Sequence, residues 1–456
     1  MRPLIRLLAI GMLAGAAHSA EPAAAPATAP LATPVLRPEQ LQQDVQFIRQ
    51  TIAEIHPDPG ITIAPARLEA ALSTAQAQLS TPMDRDAAWR VLGTLNAQFA
   101  DAHLALLQPE REKQAKAYLA AGGGFFPYEV RVAPEGELFI RAELGGKASP
   151  LARTRIDQVN GVPAGQLVHQ LMHYIHGDTA AFRAEILSRR FWFYYWKVIG
   201  APARFTLVQN GQQAAVAASG MLPELYSADV NDFSKVYRFE LLGKRAALLT
   251  INAFLWPDKD KFYAFTKDAF ARMGEAGVTD LLIDVRENGG GDDDMWKNGV
   301  LPYIATRPYR HTSTYVKKVI PGRGSATEQV GDVIQGSQEN WEQPQPGNPL
   351  LFKGRVYVLV GGMTYSSAVL FSNVMQDFGF AQLVGARGYA RARQSGGIQI
   401  RSLPNTTLEL VVPRFVLDRP SGARTPELVT PDIVLPDDPF DGRALVDALL
   451  RRIDRE

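Results

Sequence analysis

The sequence predicts an α/β protein: a mainly parallel sheet built from βαβ units, preceded by a small helical domain and a β-rich module with inserted helices. Three observations carry this. From about Phe239 onward, short apolar runs that read as buried strands alternate with helical patterns, the arrangement of a parallel sheet with helices on its faces. Over residues 38–99, apolar side chains recur at steps of three and four. Over 122–220 the pattern becomes strand-like, broken by glycine clusters and an Asn-Gly turn. A length of 456 residues suits two or three domains.

Residues 1–20 read as a secretory signal peptide. Arg2 and Arg6 form its positive end, Leu7 to Ala17 its apolar region, and Ala17-His18-Ser19 a small-x-small cleavage site. The apolar run is too short for a stable membrane span. The expectation is an exported, periplasmic protein if the source has two membranes. Secretion, or retention by an uncleaved signal, is the alternative. Residues 21–37 are an Ala/Pro-rich linker without a packing pattern.

The helical domain spans 38–110. Leu41, Val45, Ile48, Ile52 and Ile55 mark one amphipathic helix, which stops before Pro57. Leu68, Leu72, Ala75 and Leu79 mark a second, and Asp84 to Phe99 a third. The domain ends in Asp101-Ala102-His103, a histidine on a polar break just past a helix.

The module at 111–235 opens on Gly122-Gly123-Gly124-Phe125-Phe126-Pro127, a loop leading into the strand-like YEVRV and LFIRAEL. Asn210-Gly211 between FTLVQ and QQAAV signals a hairpin. The α/β domain follows at 236–456, with strands at Ala246–Ile251, Leu281–Val285 and Gln382–Val384 and a helix at Asp258–Met273. Its central stretch, Arg355 to Phe380, reads strand, glycine turn, Thr364-Tyr365-Ser366-Ser367, helix. That geometry exposes a hydroxyl at a helix N-terminus, where N–H groups and the dipole favour developing negative charge. The bland alternative is a serine that merely caps the helix.

Composition excludes several chemistries. The net charge is +1, which implies no nucleic-acid partner. There is no cysteine, hence no disulfide, thiol nucleophile or cysteine-held zinc. Gly289-Gly290-Gly291 follow a buried strand but lack the Gly-Lys-Ser/Thr of a phosphate loop. Three consecutive aspartates, Asp292 to Asp294, cannot all face one ion on an ordinary loop. His169, His173 and His176 fall at helical spacing without the glutamate of a zinc hydrolase motif, so an exposed helix face is expected. No metal or other cofactor is expected.

Four stretches in order along the chain resemble the carboxyl-terminal-processing and tricorn-type serine peptidases (the tail-specific protease superfamily). They are Asp101-Ala102-His103, Ile283-Asp284-Val285-Arg286-Glu287-Asn288-Gly289-Gly290-Gly291, Thr364-Tyr365-Ser366-Ser367-Ala368 and Pro431-Asp432-Ile433; the resemblance covers about residues 38–445. It implies a crotonase/ClpP-like catalytic core and a degenerate PDZ-like middle module. In that module Gly123, Gly124 and Phe125 occupy the carboxylate-loop, substrate-binding position, but the usual Gly-Asp before Ile-x-x-Val-Asn-Gly is missing.

One branch of the family pairs its serine with a lysine about 25 residues downstream; Arg391 stands there, and arginine cannot act as a base. No lysine follows Lys353. The resemblance therefore implies the histidine-containing branch: Ser366 as nucleophile and His103 as base, with Glu427 as supporting acid. The glycine that usually separates that acid from the Pro-Asp is absent here. Ser367 is the second choice of nucleophile. The implied reaction is acyl transfer on a peptide or protein substrate. The N–H groups of Gly290 or Gly291 and of Ser367 would hold the oxyanion. The alternative is a catalytically silent scaffold of the same fold that binds peptides or an apolar ligand; metal-dependent hydrolysis on the histidine face is a third reading.

Overall fold

The computed structural model describes residues 34–227 and 232–455. The stretch read as a signal peptide and most of the expected linker lie outside the described residues; at the end of the latter, Leu36 pairs with Met83. The chain divides into two compact units. Within the described residues one takes in 34–227 and 398–413, the other 232–397 and 414–455.

The first unit opens with the helix Pro38–Ile55, whose apolar stripe Leu41, Val45, Ile48, Ile52 and Ile55 is buried. The expected third helix is two, Arg85–Leu92 and Leu95–Phe99. Gly93 ends the first, its N–H closing on the Trp89 carbonyl at 2.7 Å. Trp89 then packs on Tyr174, Phe193 and Tyr194. These aromatic contacts give 38–110 and the following β-rich stretch one shared core.

That stretch carries two antiparallel sheets. One orders Tyr128–Val132, Leu138–Glu143 and Arg155–Ile156; the other orders Val162–Pro163, Gln158–Val159, Arg204–Gln209 and Gln212–Ala217. Asn210 and Gly211 turn the last hairpin at φ +50° and +76°, the left-handed pair an Asn-Gly turn supplies. A third sheet is built from distant sequence: Ala105–Leu107 pairs antiparallel with Glu409–Val412, which pairs with Gln399–Ser402. Asp44, fully buried on the first helix, accepts the N–H groups of Asn405 at 3.0 Å and Thr406 at 2.9 Å, holding the turn of that hairpin.

The second unit is the expected α/β layer structure. Its six-stranded sheet runs Ile433–Val434, Gln382–Gly385, Arg355–Leu359, Asp280–Asp284, Ala246–Ile251, Tyr237–Leu242. Every neighbouring pair is parallel except the last. Helices Lys259–Glu275 and Ser367–Asp377 form two of the crossovers. Leu248, Leu282, Tyr357, Leu359 and Val384 line one face and pack under Leu445, Val446, Leu449 and Ile453 of the C-terminal helix. The register turns Leu249, Ile283, Val358 and Leu383 to the opposite face, so the strands are apolar on both sides. A four-stranded antiparallel sheet, ordered Val333–Ser337, Thr314–Lys318, Phe415–Leu417, Gln394–Gly396, completes this unit. Among the described residues no helix is long and apolar enough to cross a membrane.

Candidate active site

Two adjacent parallel strands, Asp280–Asp284 and Arg355–Leu359, end side by side, and the loops leaving them are stitched together. Thr364, buried, accepts the Gly361 N–H at 2.9 Å and donates to the Val285 carbonyl at 2.8 Å. The Met363 N–H reaches the Arg286 carbonyl at 3.1 Å, and the Tyr365 N–H the Asn288 carbonyl at 3.0 Å. Carboxyl ends of neighbouring parallel strands are where ligands gather in such sheets.

Ser366 stands where this turn enters its helix, at φ +54° and ψ −124°. A non-glycine residue there is strained by about 1–3 kcal/mol and persists only where its surroundings over-determine it. Its side chain does not cap the helix, which removes the bland reading of this serine. Its carbonyl accepts Val369 and Leu370 N–H groups at 2.9 and 3.2 Å and the Gln394 side-chain amide at 2.9 Å.

Gly290, at φ +103°, abuts this turn: a Cβ added to it would lie 2.5 Å from Ser366 Cβ and 2.9 Å from Ser367 N. The Gly290 N–H donates to Asn288 Oδ1 at 2.8 Å. Gly291 bridges to Phe254 through the flanking groups, Phe254 N–H to the Gly290 carbonyl and Asp292 N–H to the Phe254 carbonyl, so its own N–H takes no part in that bridge.

Ser367 is buried and its hydroxyl is committed. It donates to Asp293 Oδ1 at 2.5 Å and accepts from Trp296 Nε1 at 2.9 Å. Of the two serines, Ser366 is half-buried and Ser367 buried with its hydroxyl locked.

Glu427 belongs to the same unit. Its carboxylate is exposed and pairs with Arg391 Nε at 3.3 Å. The residue standing at the lysine position and the residue offered as supporting acid are thus partners of each other.

In the other unit, His103 is buried two residues before the strand Ala105–Leu107. Ala100, at φ +49°, ends the helix Leu95–Phe99, and Asp101 Oδ1 then accepts the His103 N–H at 2.7 Å. The aspartate of Asp-x-His therefore shapes the backbone of the turn. Asn96, fully buried, fixes the next residues through both Leu106 backbone groups, at 2.7 and 2.9 Å. His176 lies within electrostatic reach of His103, and its imidazole is pushed down to about 3 by burial first and then by Arg190 and Arg111.

Gly123, Gly124 and Phe125 lie in this unit as well. The Phe125 ring is fully buried among Tyr118, Trp192 and Trp196. Its N–H and carbonyl are both paired with Ser219 at 2.9 Å. A Cβ at Gly123 would run into the Tyr118 ring at 2.4 Å. The loop is a core-forming turn at these atoms. The three helix histidines part company: the helix ends at Met172, leaving His169 and His173 exposed and His176 buried.

Two residues the sequence reasoning did not single out prove central to the serine turn. Asn288, fully buried, ties the glycine loop to the Ile251 carbonyl at 3.0 Å as well as to Gly290 and Tyr365. Its signal was its place in the Glu-Asn-Gly-Gly-Gly run. Gln394 approaches from a strand of the other sheet, and nothing local marks it.

Residues 245–435 match the family model of peptidase family S41. No curated protein matches the chain. Among solved structures, mature CPAF complexed with lactacystin is similar at 15% identity over 92% of this chain and 97% of that one, with a TM-score of 0.63. A serine-to-alanine variant of CPAF is similar at 14% identity over 91% and 96%, with a TM-score of 0.65. At these identities the likeness is one of fold.

Proposed function

Through residues 245–435 the chain belongs to peptidase family S41, and from that premise we propose that it is a serine endopeptidase in which Ser366 is the nucleophile and His103 the general base. It is a serine-type peptidase, a hydrolase acting on peptide or protein substrates. The single observation that carries the assignment of Ser366 is its strained, non-capping conformation at φ +54° beside Gly290. A strained strand-to-helix turn presents a nucleophilic hydroxyl, and the N–H of the next residue faces the oxyanion.

In the proposed reaction Ser366 Oγ attacks the scissile carbonyl as the His103 imidazole takes its proton. The N–H groups of Gly291 and Ser367 hold the oxyanion. Collapse expels the amine, which receives the proton back, and water then releases the acyl group by the same steps.

The test is labelling with a fluorophosphonate followed by peptide mapping. Wild type is expected to be modified at Ser366 alone. Ser366→Ala and His103→Ala are each expected to lose about 10⁴-fold or more in kcat, with the double variant little worse, because such residues act as a unit. A folded His103→Ala with near-normal turnover would remove His103 from the mechanism. An unlabelled wild type would favour the silent binding scaffold.

Glu427 is the acid the sequence offers in support of His103. A loss above about tenfold in Glu427→Gln would assign it that role; a smaller one would leave it as the surface partner of Arg391. We also propose that the protein is exported, on the signal pattern of residues 1–20.

A further inference from the structure

The three consecutive aspartates have no place in the chemistry above, and the structure divides them. Asp292 caps the short helix Asp293–Gly299, accepting the Asp294 N–H at 2.9 Å, and pairs with Lys259 at 2.5 Å. Asp294 pairs with the same lysine at 3.2 Å. Asp293 turns to the serine helix. Its Oδ1 accepts the Ser367 hydroxyl at 2.5 Å, and Trp296 Nε1 donates to Ser367 Oγ at 2.9 Å and to Asp293 Oδ1 at 3.4 Å. Trp296 is fully buried, so this triangle is closed to solvent on its indole side.

We propose that Asp293 is a positioning residue of the peptidase site: by gripping the Ser367 hydroxyl it fixes the first residue of the nucleophile helix, and with it the Ser367 N–H and the strained turn at Ser366. The inference rests on Ser366 being the nucleophile. The first turn of a helix lacks intrahelical partners for its N–H groups and frays unless held. Serine has the shortest hydroxyl side chain, so pinning Oγ from two directions leaves its Cα, one bond beyond Cβ, little room to turn. The opposite side of the turn is held by Gly290 packing and by Gln394 on the Ser366 carbonyl. Asp293 supplies the remaining side.

A merely structural aspartate would stabilise the unit without selecting a catalytic step. A positioning one changes turnover more than binding, because the oxyanion forms only in the transition state. Burial pushes the Asp293 carboxyl above the usual range, with the Ser367 hydrogen bond and Lys297 drawing it back. What the geometry asks of Asp293 is an acceptor oxygen toward the Ser367 hydroxyl. Asparagine keeps such an oxygen and alanine does not.

The experiment compares wild type, Asp293→Ala, Asp293→Asn, Ser367→Ala and the Asp293→Ala/Ser367→Ala double variant. The readouts are the rate of fluorophosphonate labelling at Ser366, kcat and KM on a peptide substrate, and the urea midpoint. Asp293→Ala and Ser367→Ala are each expected to lower labelling rate and kcat by about 10- to 100-fold, with KM within about threefold. The double variant is expected to be no worse than Ser367→Ala, since each single already breaks the Asp293–Ser367 bond. Asp293→Asn is expected to recover about tenfold over Asp293→Ala. Additive losses, unchanged kcat in Ser367→Ala, or an Asp293→Asn as poor as alanine would overturn the inference. If Asp293→Ala does not fold, Ser367→Ala and Asp293→Asn still decide it. Failure of the wild type to label at Ser366 would instead remove the premise, and the inference with it.

Discussion

Replacing Gly290 with alanine strikes a point where the glycine loop abuts the turn at Ser366. The added Cβ would sit 2.5 Å from Ser366 Cβ, 2.9 Å from Ser367 N and 2.9 Å from the Tyr365 carbonyl oxygen. Carbon atoms rest at about 3.5 Å or more, so the serine turn must retreat by about 1 Å. A misplacement of that size costs about 10²-fold in rate, or about 2.7 kcal/mol of transition-state stabilisation. The backbone adds a separate term, about 1–2 kcal/mol of stability, because alanine resists the positive φ of this position. Gly277 isolates the second term. It also has a positive φ, +67°, but an added Cβ there meets nothing within 4 Å. Both variants should lose stability in urea titrations, and Gly290→Ala alone should lose about 10²-fold in kcat and in fluorophosphonate labelling. A Gly290→Ala enzyme within about threefold of wild type, or a Gly277→Ala enzyme equally impaired, would refute the argument that this contact sets the serine's position.

Asp44→Ala should cost about 3–5 kcal/mol in urea unfolding, since it strips buried acceptors from Asn405, Thr406 and the Thr406 hydroxyl at once. His56 gives the first unit an acid-sensitive point. Burial pushes its imidazole down to about 4, against about 6.5 when unfolded, so the unfolded chain takes up the proton first as pH falls. Stability is therefore full above about 6.5 and declines by up to about 3 kcal/mol as pH drops to about 4, and His56→Gln should flatten that decline in urea titrations at pH 7 and 4.5. Exported material should begin at Ala20 or Glu21 by N-terminal sequencing; an intact Met1 would mean an uncleaved anchor.

What the sequence made legible was whatever a local pattern encodes. The stripe Leu41 to Ile55 is buried as its spacing requires. The Asn-Gly hairpin and the apolar parallel strands are where their residues put them. The serine turn was legible because strand, glycine pair and helix are contiguous. What stayed hidden depends on partners far along the chain. The hairpin at 399–412 sits in the sequence of the α/β half, yet it pairs with Ala105–Leu107; strand periodicity tells which face is buried and not which strand lies alongside. At Gly123 the close approach that glycine permits is filled by the unit's own Tyr118 ring, a partner that no local pattern names.

The serine turn shows why part of its support could not be read locally. A residue held at φ +54° against a cost of about 1–3 kcal/mol needs several independent restraints, since any single contact of about 1 kcal/mol would let it relax. The restraints come from four separate segments: Asn288 and Gly290 on one loop, Asp293 and Trp296 on the helix after it, Gln394 from the second sheet, and Thr364 within the turn itself. Asn288, Gly290, Asp293, Gln394 and Thr364 are polar or glycine and do not enter the hydrophobic periodicity that marks strands and helices, and the buried Trp296 reads there only as core. The strain at one residue is thus distributed over contacts that arise only once the sheet has brought the loops together, and the folded unit, not the motif, is what presents the hydroxyl.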